Sequence, residues 1–232
     1  METMGLLGGM SWESTAGYYR LINQAIRQRL GGLHSAKLVM HSVDFHEIEQ
    51  LQAKGDWDEA GRQLALAARS VEAAGADFII LCTNTMHKVA PAIEAAVSIP
   101  LLHIVEPTAA AIREAGIKKV GLLGTRFTME QPFYKGRLSE RHGIEVLTPD
   151  DADREVVHRI IYQELCLGQV KDDSREAYRR IIKQLVADGA EGIIFGCTEI
   201  SMLVGAADSP VPTFDTTELH ALAAADAAIR YR

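Results

Sequence analysis

Two stretches of this chain end in small polar residues able to move a proton at carbon, and the two are copies of one another. Residues 74–85 read Ala-Gly-Ala-Asp-Phe-Ile-Ile-Leu-Cys-Thr-Asn-Thr, and residues 188–199 read Asp-Gly-Ala-Glu-Gly-Ile-Ile-Phe-Gly-Cys-Thr-Glu. Laid over each other without a gap, Gly75 meets Gly189, Ile79 and Ile80 meet Ile193 and Ile194, and Thr83 meets Cys197. Cys82 falls one place early, opposite Gly196. Cys197 follows an apolar run and precedes Thr198-Glu199-Ile200, so it is expected where a strand gives way to a helix. A thiol has a pKa of roughly 8.5, which a helix N-terminus lowers to about 7 or below, giving a thiolate that serves as base or nucleophile. A cysteine ending an apolar strand also has a plain packing role. The match to Thr83 favours chemistry, because two copied strand ends would then face one cleft. Strand alternation turns neighbours to opposite faces, so Cys82 is expected to point away from that cleft. Cys166, among Ile160, Ile161 and Leu165 on a helical pattern, is expected in the core.

Four strand ends carry small polar residues: Gly8–Ser11, Thr83–Thr85, Thr125–Thr128 and Cys197–Glu199. Ligands bind at the carboxyl ends of strands in open α/β sheets, where helix N-termini supply N–H donors suited to a small carboxylate. Glu199 is placed to bind an ammonium group or orient the site, and a first-turn acid also suits a helix start by itself. His87 and His103 are placed either to orient the site or to pack. Gly8-Gly9-Met10-Ser11 is neither a GxGxxG nor a P-loop, so nucleotide binding is poorly supported.

The elements that must position these residues alternate short apolar runs with longer amphipathic stretches, the pattern of βα units on parallel sheets. Strands are predicted at 3–7, 37–42, 78–81, 101–104, 119–123, 145–147, 192–195 and 212–214, with helices over 59–74, 105–114, 153–166, 175–188 and 217–230. The doubling extends along the chain: Gly5-Leu6-Leu7-Gly8 is matched by Gly121-Leu122-Leu123-Gly124, and Ile99-Pro100-Leu101 by Val211-Pro212-Thr213. The fold class is therefore α/β, with two similar pseudo-symmetric domains, each a parallel sheet flanked by helices, and the active site in the cleft between them. The boundaries predicted are 1–100 plus 213–232 for one domain and 101–212 for the other.

The 232 residues suffice for either one large core or two compact ones. A net charge of −7, with scattered Lys and Arg, argues against a nucleic-acid partner. The opening Met4-Gly5-Leu6-Leu7-Gly8-Gly9 is too short for a membrane span, so no membrane partner and no leader are expected. Three cysteines without a CxxC pair indicate neither a disulfide framework nor a zinc site, and a reduced, cytoplasmic protein is the expectation.

Gly-Gly-Met-Ser-Trp-Glu-Ser-Thr at 8–15, Asn-Thr-Met-His at 84–87, Gly-Cys-Thr-Glu at 196–199 and the duplication together resemble the aspartate/glutamate racemase family along essentially the whole chain. The resemblance implies two α/β domains, a small amino-acid substrate, and no pyridoxal phosphate, other cofactor or metal. Related enzymes are commonly dimers, so it also implies a homodimer. In the family each domain gives one cysteine; one takes the α-proton and the other returns a proton to the opposite face. Asn84, Thr85, Thr198 and Thr125 would supply donors at the substrate carboxylate, with Met10, Gln52, Thr83 and Glu199 also near the substrate. The cation for a side-chain carboxylate is left open among Arg126, Lys88 and Arg62.

The departure from the family is Thr83, which stands where the first cysteine would precede Asn-Thr. A threonine hydroxyl is a poor base near neutral pH but can donate or relay a proton. The expected catalyst is then one-sided: Cys197 deprotonates an L-amino acid, aspartate or glutamate, and Thr83 delivers a proton to the other face. Two alternatives remain open. One is a single-cysteine, malonate-type decarboxylase; the other is a catalytically degenerate protein that binds acidic amino acids. Hydantoin racemases and maleate isomerases are further relatives that rely on the missing cysteine pair.

Overall fold

Apolar runs form the central strands of the sheets, because residues buried on both faces of a parallel sheet need no polar alternation. The computed structural model of the chain describes residues 1–230. Strands β1 (Met4–Gly8), β2 (Leu38–Ser42), β3 (Phe78–Leu81), β4 (Leu101–Leu102), β5 (Lys119–Gly124), β6 (Glu145–Leu147), β7 (Gly192–Gly196) and β8 (Thr213–Asp215) lie where the sequence places them. They build two four-stranded sheets, ordered β2-β1-β3-β4 and β6-β5-β7-β8, with every pair parallel. Each sheet thus has its first strand second from the edge and its third beside it. The duplication read in the sequence is a duplication of topology.

The chain divides into two compact units, Met1–Ile104 with the chain from His220, and Val105–Leu219. Strand β4 therefore belongs to the first unit and β8 to the second, whereas the predicted boundaries at 100/101 and 212/213 put each on the other side. Strand pairing is the reason: Ile79 and Ile80 of β3 face Leu101 and Leu102, and Ile193 to Phe195 of β7 face β8. Tyr231 and Arg232, included in the predicted first domain, lie outside the described residues.

In the first unit, α1 (Trp12–Leu30), α2 (Phe45–Lys54), α3 (Trp57–Ala73) and the short α4 (Ala90–Glu94) accompany the sheet. One face of the sheet, with Leu7, Ile79 and Leu81, packs on Ile48 of α2 and Leu64, Ala67, Ala68 and Val71 of α3. The other, with Leu6, Phe78, Ile80 and Cys82, packs on Tyr18, Ile22 and Ile26 of α1 and on the small residues Ala221, Ala224, Ala225 and Ala228. Each large side chain buried this way contributes about 1.5–3 kcal/mol. Polar side chains cap the helix starts: Ser11 accepts from Ser14 N and Asp44 from His46 N after strand ends, and Asp56 from Glu59 N between α2 and α3.

The second unit carries α5 (Val105–Glu114), α6 (Arg126–Glu130), α7 (Pro132–His142), α8 (Asp151–Gln163), α9 (Asp172–Ala187) and α10 (Ile200–Leu203). Helix α11 (Thr216–Arg230) begins there, and the chain returns to the first unit within it. Helices α8 and α9 present Val157, Ile160 and Ile161, and Tyr178, Ile181, Ile182 and Leu185, as their buried stripes.

Three expectations are corrected. Strand β4 stops at Leu102 instead of running to 104, because the next backbone groups turn to side chains: His220 Nε2 donates to Leu102 O at 2.8 Å, and Ile104 N donates to His87 Nε2 at 3.2 Å. The helix over 153–166 ends at Gln163; Glu164 leaves helical geometry, and Leu165–Leu167 form a 3₁₀ turn capped by Gly168 at positive φ. Cys166 sits in that turn half-buried, not in the core. Among the described residues, no helix is long and apolar enough to cross a membrane.

Candidate active site

Strand register gathers the polar residues at the strand ends of each unit. In the second unit Gly124 pairs with Gly196, which brings Thr125 and Cys197, the residues that follow them, to the same end of the sheet. The approach is close enough that a Cβ on Gly124 would lie 2.8 Å from Gly196 O, so only glycine fits there. Cys197 is 7% exposed and Glu199 2% exposed. The Cys197 thiol donates to Glu199 Oε2 at 3.1 Å, and the Thr198 hydroxyl donates to the same oxygen at 2.6 Å. The cluster therefore holds a buried thiol and a hydroxyl that share one carboxylate oxygen.

The charge state differs from the sequence expectation. Burial pushes the Cys197 thiol well above its usual range, and the adjacent Glu199 charge adds to the rise. The expected lowering by a helix N-terminus does not operate, because α10 is a single turn and a carboxylate stands nearer the sulfur than any helix dipole of useful length. Thr198, assigned to the substrate carboxylate, gives its hydroxyl hydrogen to Glu199 here. The Thr125 oxygen is the N-cap of α6, accepting from Thr128 N at 3.3 Å with Thr128 Oγ1 3.2 Å away.

In the first unit Cys82 N donates to Leu7 O at 2.9 Å, tying the end of β3 to β1. The Cys82 side chain is fully buried in the core on α1 and α11, on the face that also carries Ile80. Burial alone raises its thiol far above the usual range. It is a packing residue, as alternation predicts. Thr83 is 7% exposed, and Asn84 and Thr85 are also buried. The Thr83 carbonyl accepts from His87 Nδ1 at 2.7 Å, while His87 Nε2 accepts from Ile104 N. One nitrogen donates and the other accepts, so His87 is a neutral imidazole with the proton on Nδ1. It orients the Thr83 backbone, and the His103 ring stands edge-on to it at 4.4 Å.

Gln52, near the end of α2, donates from Nε2 to Met86 Sδ at 3.0 Å, and Met10 is buried in the core cluster that includes Met86. Both therefore lie around the residues that follow β3. His220 is a member of this unit that sequence reasoning missed. It accepts from Tyr18 OH at 2.9 Å and donates to Leu102 O, holding α1, α11 and β4 together. The available signal was a single imidazole in an otherwise alanine-rich apolar stripe.

The three candidate cations differ in their company. Arg62 forks onto Glu59 at 2.7 and 2.6 Å. Arg126 meets Glu155 at 3.4 Å, and its backbone N–H donates to His158 Nδ1. Lys88 lies 3.9 Å over the ring of Trp57. Among the described residues, no group of three or more His, Cys, Asp and Glu is arranged to hold a metal ion.

Two solved structures share this fold over nearly the whole chain. A protein from Yersinia pestis, whose crystal structure was described as that of a candidate Asp/Glu racemase, is 65% identical, covering 99% of this chain and 100% of its own with a TM-score of 0.93. The crystal structure of an aspartate racemase homologue from Pyrococcus horikoshii is 34% identical, with 98% and 99% of the two chains covered and a TM-score of 0.84. The broad specificity amino-acid racemase RacX of Bacillus subtilis is 28% identical over 166 residues, 70% of this chain and 69% of RacX. The sequence model of the Asp/Glu/hydantoin racemases matches residues 7–224. With the duplicated sheets and strand-end motifs in place, this chain belongs to the Asp/Glu/hydantoin racemase family of isomerases.

Proposed function

We propose that the protein racemises aspartate or glutamate without a cofactor and favours the L-enantiomer. The observation that carries this reading is the asymmetry of the two strand ends. The Cys197 thiol is hydrogen-bonded to a carboxylate, whereas the matching position holds Thr83 and the neighbouring Cys82 is buried in the core.

The proton inventory runs through Glu199. Cys197 enters as a neutral thiol, because burial and the Glu199 charge disfavour the thiolate. The ammonium of a bound amino acid reverses that local balance, since a cation nearby favours the charged sulfur. The thiol proton passes to Glu199, and the thiolate takes the α-proton from the L-face. The carbanion then accepts a proton on the opposite face from the Thr83 hydroxyl. Thr83 recovers one from water, and Glu199 gives up the proton it took from the thiol to the hydroxide so formed, which closes the cycle. Donors at Asn84, Thr85 and Thr125, with the Thr198 backbone N–H because its hydroxyl serves Glu199, hold the substrate carboxylate as its charge develops. Running the reaction from the D-side requires Thr83 to act as base, for which its hydroxyl is unsuited.

Proton–deuterium exchange at the α-carbon, measured for both enantiomers, tests this reading. Exchange is expected to be fast from L-aspartate and L-glutamate and slow from the D-forms. Cys197→Ala is expected to lose roughly 10³-fold or more, and Thr83→Cys to gain exchange from the D-side. Equal rates from D and L in the wild type would overturn the one-sided mechanism. Carbon dioxide release from a substituted malonate would instead point to the decarboxylase alternative. Thr83 also suits a degenerate amino-acid-binding protein, for which aspartate would bind without any exchange. A homodimer and a cytoplasmic setting that keeps the free cysteines reduced belong to the same proposal; sedimentation velocity tests the first.

A further inference from the structure

We infer that Lys88, seated on the indole of Trp57, is the residue that takes the side-chain carboxylate of the substrate and sets the preference for acidic amino acids. This rests on the racemase reading above and chooses among the three cations that the sequence leaves equivalent.

The first argument is position. Thr85–Val89 is a 3₁₀ turn directly after the β3 strand end. Side chains three apart eclipse one another on such a turn, so Lys88 stands on the same edge as Thr85, a residue assigned to the substrate. The second argument is charge. Arg62 is neutralised by a two-pronged contact with Glu59, and Arg126 by Glu155. Among the described residues, Lys88 has no carboxylate within ion-pairing distance, and its ammonium lies over the face of Trp57, 3.9 Å from the ring centroid. Lys88 is only half exposed at most, and partial loss of water lowers its pKa. A half-buried cation without a counter-ion is a costly arrangement that an incoming carboxylate relieves.

The third argument is rigidity. Trp57 is the first residue of α3, whose start is fixed by Asp56 accepting from Glu59 N at 3.2 Å. Its ring packs against the cluster that contains Met10 and Met86. An ammonium held over such a ring is attracted by the negative π face and loses less freedom on binding than a lysine waving in solvent. The recognised group is thus an anionic substituent on the amino-acid side chain. A neutral side chain would leave the Lys88 charge where it is.

The test compares L-aspartate with L-alanine on the full chain, by calorimetric titration and by kcat/KM for α-deuterium exchange. Losing one charge-assisted contact costs roughly tenfold to a hundredfold. Lys88→Met is expected to lower the aspartate-over-alanine ratio by that factor in both readouts, and Lys88→Arg, which keeps a cation, to restore most of it. Trp57→Leu is expected to fall between them. An unchanged ratio in Lys88→Met, or a collapse in Arg126→Met instead, overturns the assignment. Absence of exchange from any amino acid in the wild type would end the racemase reading, while the titrations would still decide Lys88. A wild type that binds neither amino acid overturns both.

Discussion

At the residue scale, the Cys197 thiol proposed as the base is harder, not easier, to ionise than a free one. Glu199 shapes Cys197 in two opposed ways: its charge raises the thiol, and its oxygen is the nearest place for the thiol proton to go. Glu199→Gln separates the two. The amide keeps the shape and removes the charge, so the thiol ionises at lower pH, and the midpoint of the ascending limb of kcat/KM should move down. The proton acceptor is lost as well, so kcat should fall roughly tenfold to a hundredfold. A downward midpoint without loss of kcat would show Glu199 to be purely an electrostatic neighbour. Strand alternation made Cys82 legible as a core residue in the sequence. The carboxylate's effect on Cys197 was not legible, because helix-end reasoning overlooks a charge two residues away that folds back onto the sulfur.

Close backbone approach at the ends of β1 and β5 sets the element scale. The Thr15 hydroxyl accepts from Gly9 N at 2.9 Å and donates to Ser11 O at 2.7 Å, stitching the turn after β1 to the first turn of α1. A Cβ on Gly8 would lie 2.3 Å from Thr15 Cγ2 and 2.9 Å from Thr15 Oγ1. Gly8→Ala must therefore displace Thr15 and both bonds. It is expected to cost about 1–3 kcal/mol, measured as a lowered urea midpoint with an unchanged m-value, together with a raised KM because Met10 lies in the same turn. Free stability with unchanged KM would mean that the turn absorbs a methyl group without moving. The paired glycines of the two halves were visible as repeated Gly-Leu-Leu-Gly segments. What they accommodate was not, since Thr15 is brought there by the helix.

A buried imidazole makes the first unit sensitive to acid, and this is a property of the whole molecule's assembly from distant segments. His220 joins Tyr18 of α1 to Leu102 of β4 across the chain. Its bonds require the neutral ring, with the proton on Nε2, and desolvation lowers its pKa from 6.5 to about 4. The unfolded chain takes up this proton first as pH falls. The contribution is therefore fully present above pH 6.5 and is lost as pH drops from 6.5 to about 4. The loss reaches about 3 kcal/mol at most. Urea unfolding at pH 7.5 and pH 5 should show the wild type weakened at the lower pH. His220→Leu should be less stable at pH 7.5 but show a smaller difference between the two. An equal pH dependence in both proteins would remove His220 as its source.

The sequence by itself determined the strands and the duplicated parallel sheets, and its motifs carried the resemblance to the family. The strands and the doubling rest on local periodicity and ungapped self-comparison, and the family on motif resemblance, none of which needs knowledge of neighbours in space. The tertiary structure alone decided the ionisation of Cys197, the neutral form of His87, the capping duty of Thr125 and which cation lacks a counter-ion. Those depend on groups that meet through folding: His87 with Ile104, Tyr18 with His220, Lys88 with Trp57. Charge and hydrogen bonding act through space at a few ångströms, and spacing along the chain does not report that distance.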